Sequence, residues 1–385
     1  MRVPAPFLDD PAVLAVLAAL GRARIVGGAV RDAVLGREVA DIDLATPDAP
    51  DAVMAALRAA GLKAVPTGVA HGTVTAVAEH RGFEVTTLRR DVATDGRHAV
   101  VAFTDDWRAD AARRDFTINA MSMAADGEVF DYFGGLEDLR AGRVRFVGDP
   151  AVRVAEDYLR VLRFFRFQAR YGRGAPDAAA LGAIRAAVPG LARLSVERVW
   201  SELKRILAGP DVGATLALME DVGVLAAILP EGVCVARLAA LVGRGEPGDA
   251  VLRLAALLTG DAAALAERLR LSGAERDLLV ALRAGPAPAD GDDDAALRRL
   301  LADEPAEVLI GRGWLAGAGD ALRARLAGME RPVFPLRGRD LVAAGVAAGP
   351  AMGEMLARLR AWWRDGGCVA TAAECRAELA RVAGS

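Results

Sequence analysis

Apolar positions change their spacing near residue 150 of the chain. Before that point, short β-branched runs at Arg24–Val26, Asp41–Ala45, Thr73–Ala78, Phe83–Leu88 and Val144–Val147 alternate with helical stretches such as Asp48–Ala60. Glycine-containing turns separate them, and this predicts a small domain of mixed strands and helices. After Pro150, apolar residues recur at three and four, punctuated by Gly or Pro, and predict helices over Ala151–Tyr171, Ser195–Leu207 and Val212–Val222. The class is α+β, with the strands confined to the N-terminal part. Gly243–Asp249 and Gly285–Asp294 read as loops, and the acidic run Asp292–Asp294 as a solvated part of the second.

The apolar run Ala12–Leu20 is short enough to be a signal-peptide core, but Asp9, Asp10 and Pro11 precede it where such a peptide would be basic. Asp10 as N-cap and Pro11 at the first helical position predict an ordinary amphipathic helix. No segment reaches the roughly 18–20 apolar residues of a membrane span. A cytoplasmic location is the expectation.

Composition narrows the picture. Hydrophobic residues make up 53% and charged residues 26% of 385, which supports a sizeable core and excludes disordered, collagen-like and disulfide-scaffold chains. Cys234, Cys368 and Cys375 are odd in number and lack CxxC spacing, so a reducing compartment suits them; with only His71, His80 and His98 to add, a zinc site is not expected. The net charge is −3, yet eleven basic and five acidic side chains between residues 151 and 208 give a local +6, whereas residues 261–330 carry nine basic and thirteen acidic. A polyanion would be drawn to the first of these regions. Only Lys63 and Lys204 are lysine, so arginine is the general cation here and a lone Arg means little.

Five segments carry candidate chemistry. In Ile25-Val26-Gly27-Gly28-Ala29-Val30-Arg31-Asp32 a strand runs through two glycines into a helix, which admits a phosphate close to the backbone with Arg31 able to fork onto it; a plain tight turn gives the same pattern. Asp41-Ile42-Asp43-Leu44 places two carboxylates about 6.6 Å apart on one strand face. Such a pair suits two Mg²⁺ ions roughly 3.5–4 Å apart for phosphoryl or nucleotidyl transfer, or is a solvent-facing strand edge. Glu84, in Gly82–Arg89, alternates with Phe83 and Val85 and could complete the metal-binding face. Arg113-Arg114-Asp115-Phe116-Thr117-Ile118-Asn119 suits a triphosphate and a ribose hydroxyl, and the aperiodic Asp91–Asp110 stretch before it, with Asp95-Gly96-Arg97-His98, reads as a long functional loop. In the helical Glu156–Phe167 stretch, Asp157, Arg160 and Arg163 share a face while Leu159, Leu162 and Phe165 pack inward, with Glu156–Arg160 and Asp157–Arg160 pairs as the plain alternative. Asp131–Leu139 and Ser195-Val196-Glu197-Arg198 read as structural turns and caps.

In this order and spacing, VGGAVRD, DIDLAT, FEVTTLR, RRDFTINAM, DYFGGLEDL, EDYLRVLRFFRF and LSVERVWSELKRIL resemble the bacterial class II tRNA nucleotidyltransferase and poly(A) polymerase family, within the polymerase β-like nucleotidyltransferase superfamily. The likeness covers roughly residues 24–208. It implies a nucleotidyltransferase head over residues 1–148, a helical, nucleotide-selecting neck over 149–210, and a helical body and tail over 211–385 that grips tRNA. It further implies that Asp41 and Asp43 bind Mg²⁺ with Glu84 as a third carboxylate, and that Gly27, Gly28, Arg31, Arg114 and Asn119 form the nucleotide site. Asp157 and Arg160 would read the base, with Arg163 and Arg166 supporting them or reaching the triphosphate. The implied activity is addition of C, C and A to the tRNA 3′ end from CTP and ATP without a template. Poly(A) synthesis, addition of A alone and non-catalytic RNA binding are the rivals. Tyr132 and Tyr158 stand where many relatives have Pro. The histidines form no His-Asp pair, so the phosphohydrolase domain of some relatives is not expected. The uninterrupted Asp91–Asp110 loop disfavours members that add only CC.

The base-reading role has a chemical basis. A carboxylate accepts from the amine of cytosine or adenine, and Arg donates to the ring acceptors beside it. Uracil and guanine would turn an oxygen toward the carboxylate and leave it unpaired, which costs roughly 1–3 kcal/mol or more.

Overall fold

A computed structural model describes residues 1–94 and 99–383. Asp10 opens the chain's first α-helix as expected: its carboxylate accepts from the Ala12 N–H at 2.9 Å, and α1 (Pro11–Leu20) buries Val13, Val16, Leu17 and Leu20. The expected strands at Arg24–Val26 (β1) and Thr73–Ala78 (β4) form where the alternation places them. Between them lie α2 (Gly28–Val34), β2 (Asp43–Thr46), α3 (Pro50–Ala59) and β3 (Lys63–Gly68), and β5 (Arg81–Thr87) follows. With β8 (Ser122–Met123) and β9 (Val129–Phe130) they make a seven-stranded sheet ordered β3-β4-β5-β2-β1-β8-β9. Only β2 and β5 pair in parallel, Leu44 beside Val85. Their inward residues Leu44, Phe83 and Val85 are at most 3% exposed, so the pleat turns Asp43 and Glu84 outward.

Three expectations change here. Val144–Val147 forms no strand; its β-pairing is one isolated bridge, Phe116 to Phe146. The stretch expected as a loop is instead a hairpin of β6 (Arg89–Thr94) and β7 (Ala99–Phe103), followed by α4 (Trp107–Ala112) capped by Asp106. Asp95-Gly96-Arg97-His98 lie outside the described residues. The helix expected over Ala151–Tyr171 breaks in two, α6 (Pro150–Glu156) and α7 (Leu159–Tyr171), after α5 (Gly135–Ala141). At the break Asp157 is extended, φ −154° and ψ 106°, and its side chain accepts from the Leu159 N–H at 3.0 Å. An Asp carboxylate competes with the helix for backbone donors, and here it restarts the helix rather than continuing it.

Asp131–Leu139 is structural, as expected. Asp131 accepts from the Gly135 and Leu136 N–H groups, both at 2.9 Å. A Cβ at Gly135 would lie 2.2 Å from the Thr117 carbonyl oxygen, so only glycine allows this turn to touch the Arg113–Asn119 segment. Asp138, fully buried, accepts from Thr117 Oγ1 at 2.6 Å and from Arg143 and Arg145, each at 2.9 Å.

The described residues form two compact units, one from Met1 to Pro230 and the other beginning at Glu231. The first closes with α8 (Ala178–Ala187), α9 (Val196–Leu207), α10 (Val212–Asp221) and α11 (Val224–Ile228). The second is helical from Val235–Gly243 to Ala372–Ala383, with cores around Leu301, Leu309 and Leu326, and around Leu341, Leu359 and Trp363. Asp293 caps the helix that follows the acidic run, and Asp294 pairs with Arg325 at 2.7 Å.

An aromatic cluster fixes α7 to the sheet domain. Phe116 lies 4.9 Å from Phe146 and 5.1 Å from Phe167 between ring centres, and Phe146 lies 5.9 Å from Phe164. Phe116, Phe146 and Phe164 are fully buried. Truncating such a ring leaves an unfilled cavity, so Phe116→Ala is expected to lose about 3–5 kcal/mol of stability, read as a lower urea midpoint. An unchanged midpoint would show that this cluster does not hold the unit together.

Candidate active site

β1 ends at Val26 and delivers Gly27 in the left-handed region, φ 70°. A Cβ on Gly27 would stand 3.1 Å from the Arg114 guanidinium, so the glycine provides both the turn and the room beside Arg114. Gly28 opens α2, and one turn on Arg31 folds back, 8% exposed. Its guanidinium donates to Asp32 at 2.7 Å and to Asn119 Oδ1 at 2.6 Å, and it stacks 4.3 Å over the Tyr171 ring. The Tyr171 hydroxyl donates to Asp32 at 3.0 Å, which closes the support around Arg31.

The carboxylates sit at the neighbouring strand ends. Asp43 begins β2, and one step before the Leu44–Val85 pair it stands level with Glu84 on β5. Asp41 lies just ahead of the strand and is exposed, with Ile42 buried between the two acids. Burial and the nearby Glu84 push the Asp43 carboxyl above its usual range, Arg114 opposes this, and Asp41 adds to it. A carboxylate already raised by other carboxylates is relieved by a cation. Hard oxygen donors on one open face suit Mg²⁺, which keeps several waters and binds through one or two carboxylates plus substrate phosphates. Among the described residues no group of three His, Cys, Asp or Glu side chains forms a ready-made cage, so phosphate oxygens and water would complete the shell.

Opposite the glycines, the Arg113–Asn119 segment and α7 meet through ion pairs. Asp115 accepts from Asn119 Nδ2 at 3.0 Å and from Arg163 Nε at 2.8 Å. Burial pushes the Asp115 carboxyl up, but Arg163, Asn119 and the Phe116 N–H together hold it below the usual range. Burial would likewise lower Arg163, and Asp115, with Glu202 and Asp157 behind it, carries it above the ordinary value. Asn119 is engaged at both ends, on Arg31 and on Asp115. Glu202, on α9 and 3% exposed, accepts from Arg166 at 2.6 Å. Asp110 on α4 pairs with Arg113 at 3.0 Å and reaches Arg114 only at 3.4 Å, which leaves Arg114 lightly held.

Asp157 and Arg160 do not pair side chain to side chain. The bend turns Asp157 toward Arg198 on α9, which donates to it at 2.7 Å. Arg160 is fixed by the Arg153 carbonyl at 2.8 Å, the Glu156 carboxylate at 2.5 Å and the Arg113 carbonyl at 3.1 Å. The Glu156–Arg160 pair is thus present and the Asp157–Arg160 pair is replaced.

These side chains surround one cavity of about 480 Å³. Of the sequence-derived candidates, Gly27, Gly28, Arg31, Asp43, Arg114 and Asn119 line it from the sheet domain. Asp157, Arg160, Arg163 and Arg166 line it from the helices, while Asp41 and Glu84 stand outside the wall. Five arginines against Asp43, Asp115 and Asp157 leave an excess of positive charge suited to a triphosphate. The sequence reading missed Arg198, Glu202, Asp110 and Tyr171. Asp115 and Arg198 were in quoted motifs, but nothing in their spacing tells a supporting ion pair from a surface one.

The family model described as "Poly A polymerase head domain" matches residues 23–145, and that of the "Probable RNA and SrmB- binding site of polymerase A" matches 176–233. The mitochondrial CCA tRNA nucleotidyltransferase 1 of Danio rerio is 38% identical over 357 residues, covering 89% of this chain and 83% of that protein. Among solved structures, the Bacillus stearothermophilus CCA-adding enzyme in complex with CTP superposes with a TM-score of 0.77 at 26% identity, over 97% of this chain and 98% of that one. The Thermotoga maritima CCA-adding enzyme complexed with tRNA shares the fold, with a TM-score of 0.69 at 22% identity over 99% of both chains. The motifs resemble, and the relatives' extent of match establishes, one lineage: this chain belongs to the tRNA nucleotidyltransferase and poly(A) polymerase family.

Proposed function

We infer that this protein adds C, C and A to the 3′ end of tRNA from CTP and ATP without a nucleic-acid template. One observation carries the reading: a single cavity brings together the strand-end carboxylate Asp43, five guanidinium groups and Asp157 on its helix break. The relatives named above as CCA tRNA nucleotidyltransferase and CCA-adding enzyme, with CTP and tRNA bound to two of the latter, support it.

In this reading Gly27 and Gly28 admit the triphosphate close to the backbone, and Arg31 and Arg114 hold its oxygens. Asn119 sets Arg31 at the correct angle through its 2.6 Å contact. Asp157 accepts the amine of cytosine or adenine, Arg160 donates to the ring acceptor beside it, and Arg198 keeps Asp157 oriented. Arg163 and Arg166 face the phosphates from α7. Asp41 and Asp43, with Glu84 beside them, would hold Mg²⁺, which supplies activation of the primer hydroxyl and neutralisation of the leaving pyrophosphate when bound. Residues 1–148 are the catalytic head, 149–210 the nucleotide-selecting neck and 211–385 the tRNA-binding body and tail. The three free cysteines support a reducing, cytoplasmic setting, and among the described residues no helix is long and apolar enough to cross a membrane.

The test is extension of a tRNA trimmed of its last three nucleotides, with Mg²⁺, CTP and ATP, read at single-nucleotide resolution. Growth by three residues that then stops is the expected result, and in Asp43→Ala the rate should fall by at least about a hundredfold. A long A ladder would indicate poly(A) polymerase, a single A on a CC end an A-adding specialist, and no extension an RNA-binding protein. Asp157→Ala should lower the CTP-over-UTP ratio of kcat/KM by about tenfold to a hundredfold, from the cost of one unpaired buried group. A ratio that does not move would remove Asp157 from base selection.

A further inference from the structure

Next to the nucleotide cavity lies a second concavity of about 650 Å³ in the same compact unit. Four arginines stand on its walls: Arg37 from the turn after α2, Arg166 and Arg170 from α7, and Arg205 from α9. Arg166 lines both concavities, so the two share a wall. Among the described residues Glu202 is the one carboxylate that meets this group, accepting from Arg166 at 2.6 Å and from Arg205 at 3.3 Å, and it is shared with Arg163 at 3.9 Å. Burial, with Arg163 and Arg205 close by, draws the Arg166 guanidinium below its usual value despite Glu202. Arg37 and Arg170 are exposed and have no carboxylate partner among the described residues. Both guanidinium groups lie near the Tyr171 ring, at 5.0 and 5.6 Å from its centre. The floor between the arginines is apolar, formed by Ile206, Ala208 and Pro210.

Crowded guanidinium groups with too few counter-ions make an anion site, and two without any carboxylate are available to a ligand. A small free anion gains nothing from an apolar floor, whereas a nucleotide of an RNA strand sets its phosphate on the arginines and its ribose on that floor. The wall shared through Arg166 places such a strand beside the reacting nucleotide. We propose that this concavity is a backbone subsite for the RNA primer strand, with Arg37 and Arg170 holding phosphates upstream of the 3′ end. This rests on the tRNA-extending function inferred above.

The test compares the unmodified protein with the Arg37→Ala/Arg170→Ala double variant and with Arg37→Lys/Arg170→Lys. Binding of trimmed tRNA is measured across a salt series, beside KM for CTP and inhibition by pyrophosphate. Loss of two phosphate contacts should weaken tRNA binding about tenfold near 0.15 M salt and flatten the log–log salt slope by about 1.5–2. KM for CTP and the pyrophosphate inhibition constant should stay within twofold, and the lysine pair should regain most of the affinity. Unchanged tRNA affinity and slope in the alanine pair, while the unmodified protein extends tRNA normally, would overturn the subsite alone. A change confined to pyrophosphate inhibition would overturn it in favour of a small-anion site, and a lysine pair as weak as the alanine pair would overturn the charge argument. Failure of the unmodified protein to extend any tRNA would overturn the functional reading and the subsite together.

Discussion

Five guanidinium groups share the wall of one cavity, and left to themselves they would drive it open. Three carboxylates at most 8% exposed prevent this: Asp115 under Arg163, Glu202 under Arg166, and Asp110 under Arg113 and Arg114. A carboxylate in that position is expensive to desolvate, and only close, well-aligned partners compensate it. Asp115 meets this condition with bonds from a side chain of its own segment and from α7, so one buried group ties the sheet domain to the helix. The cations are thereby held with donors to spare, ready for a polyanion without rearrangement, which is what electrostatic preorganisation requires.

The arrangement divides labour between rigid and adjustable parts. Arg31 and Arg160 are each fixed by several partners, as suits the groups proposed to meet features that CTP and ATP share. Asp157 sits outside both flanking helices, with one ion pair to Arg198 and one bond to the Leu159 N–H. A residue at such a joint can change its direction without unwinding a helix, whereas one inside a turn of α7 could not.

Much of the sheet was legible because its alternation is strict: Phe83 and Val85 inward with Glu84 outward follow from the pleat alone. Ten of the twelve candidate site residues line the cavity, since the motifs place six of them on the turn and helix after β1, at the start of β2 and on the Arg113–Asn119 segment, and four on the helix break and α7. What could not be read was set by side chains acting at a distance. The periodicity of Ala151–Tyr171 runs straight through Asp157, so nothing in the pattern marks the break; it is made by one carboxylate capping Leu159 and pairing with a residue forty-one positions away. Val144–Val147 has strand-like composition, but its partner is a single residue, Phe116, rather than a strand edge. The hairpin of β6 and β7 was hidden because its Arg, Asp and Thr residues weaken the apolar alternation.

The aromatic cluster has a bearing on how this chain could have changed over time. Phe116 and Phe146 come from before residue 150, Phe164 and Phe167 from α7, and the four rings are one core. A crossover near residue 150 would separate halves of that core and pass on two rings with no partner. Such a gene fragment could not be exchanged as a cassette, so the catalytic sheet and the helix that faces it would be inherited as one piece and diverge in step. Segments whose cores close on themselves, such as those around Leu301 and around Trp363, face no such restriction and are freer to drift or be replaced.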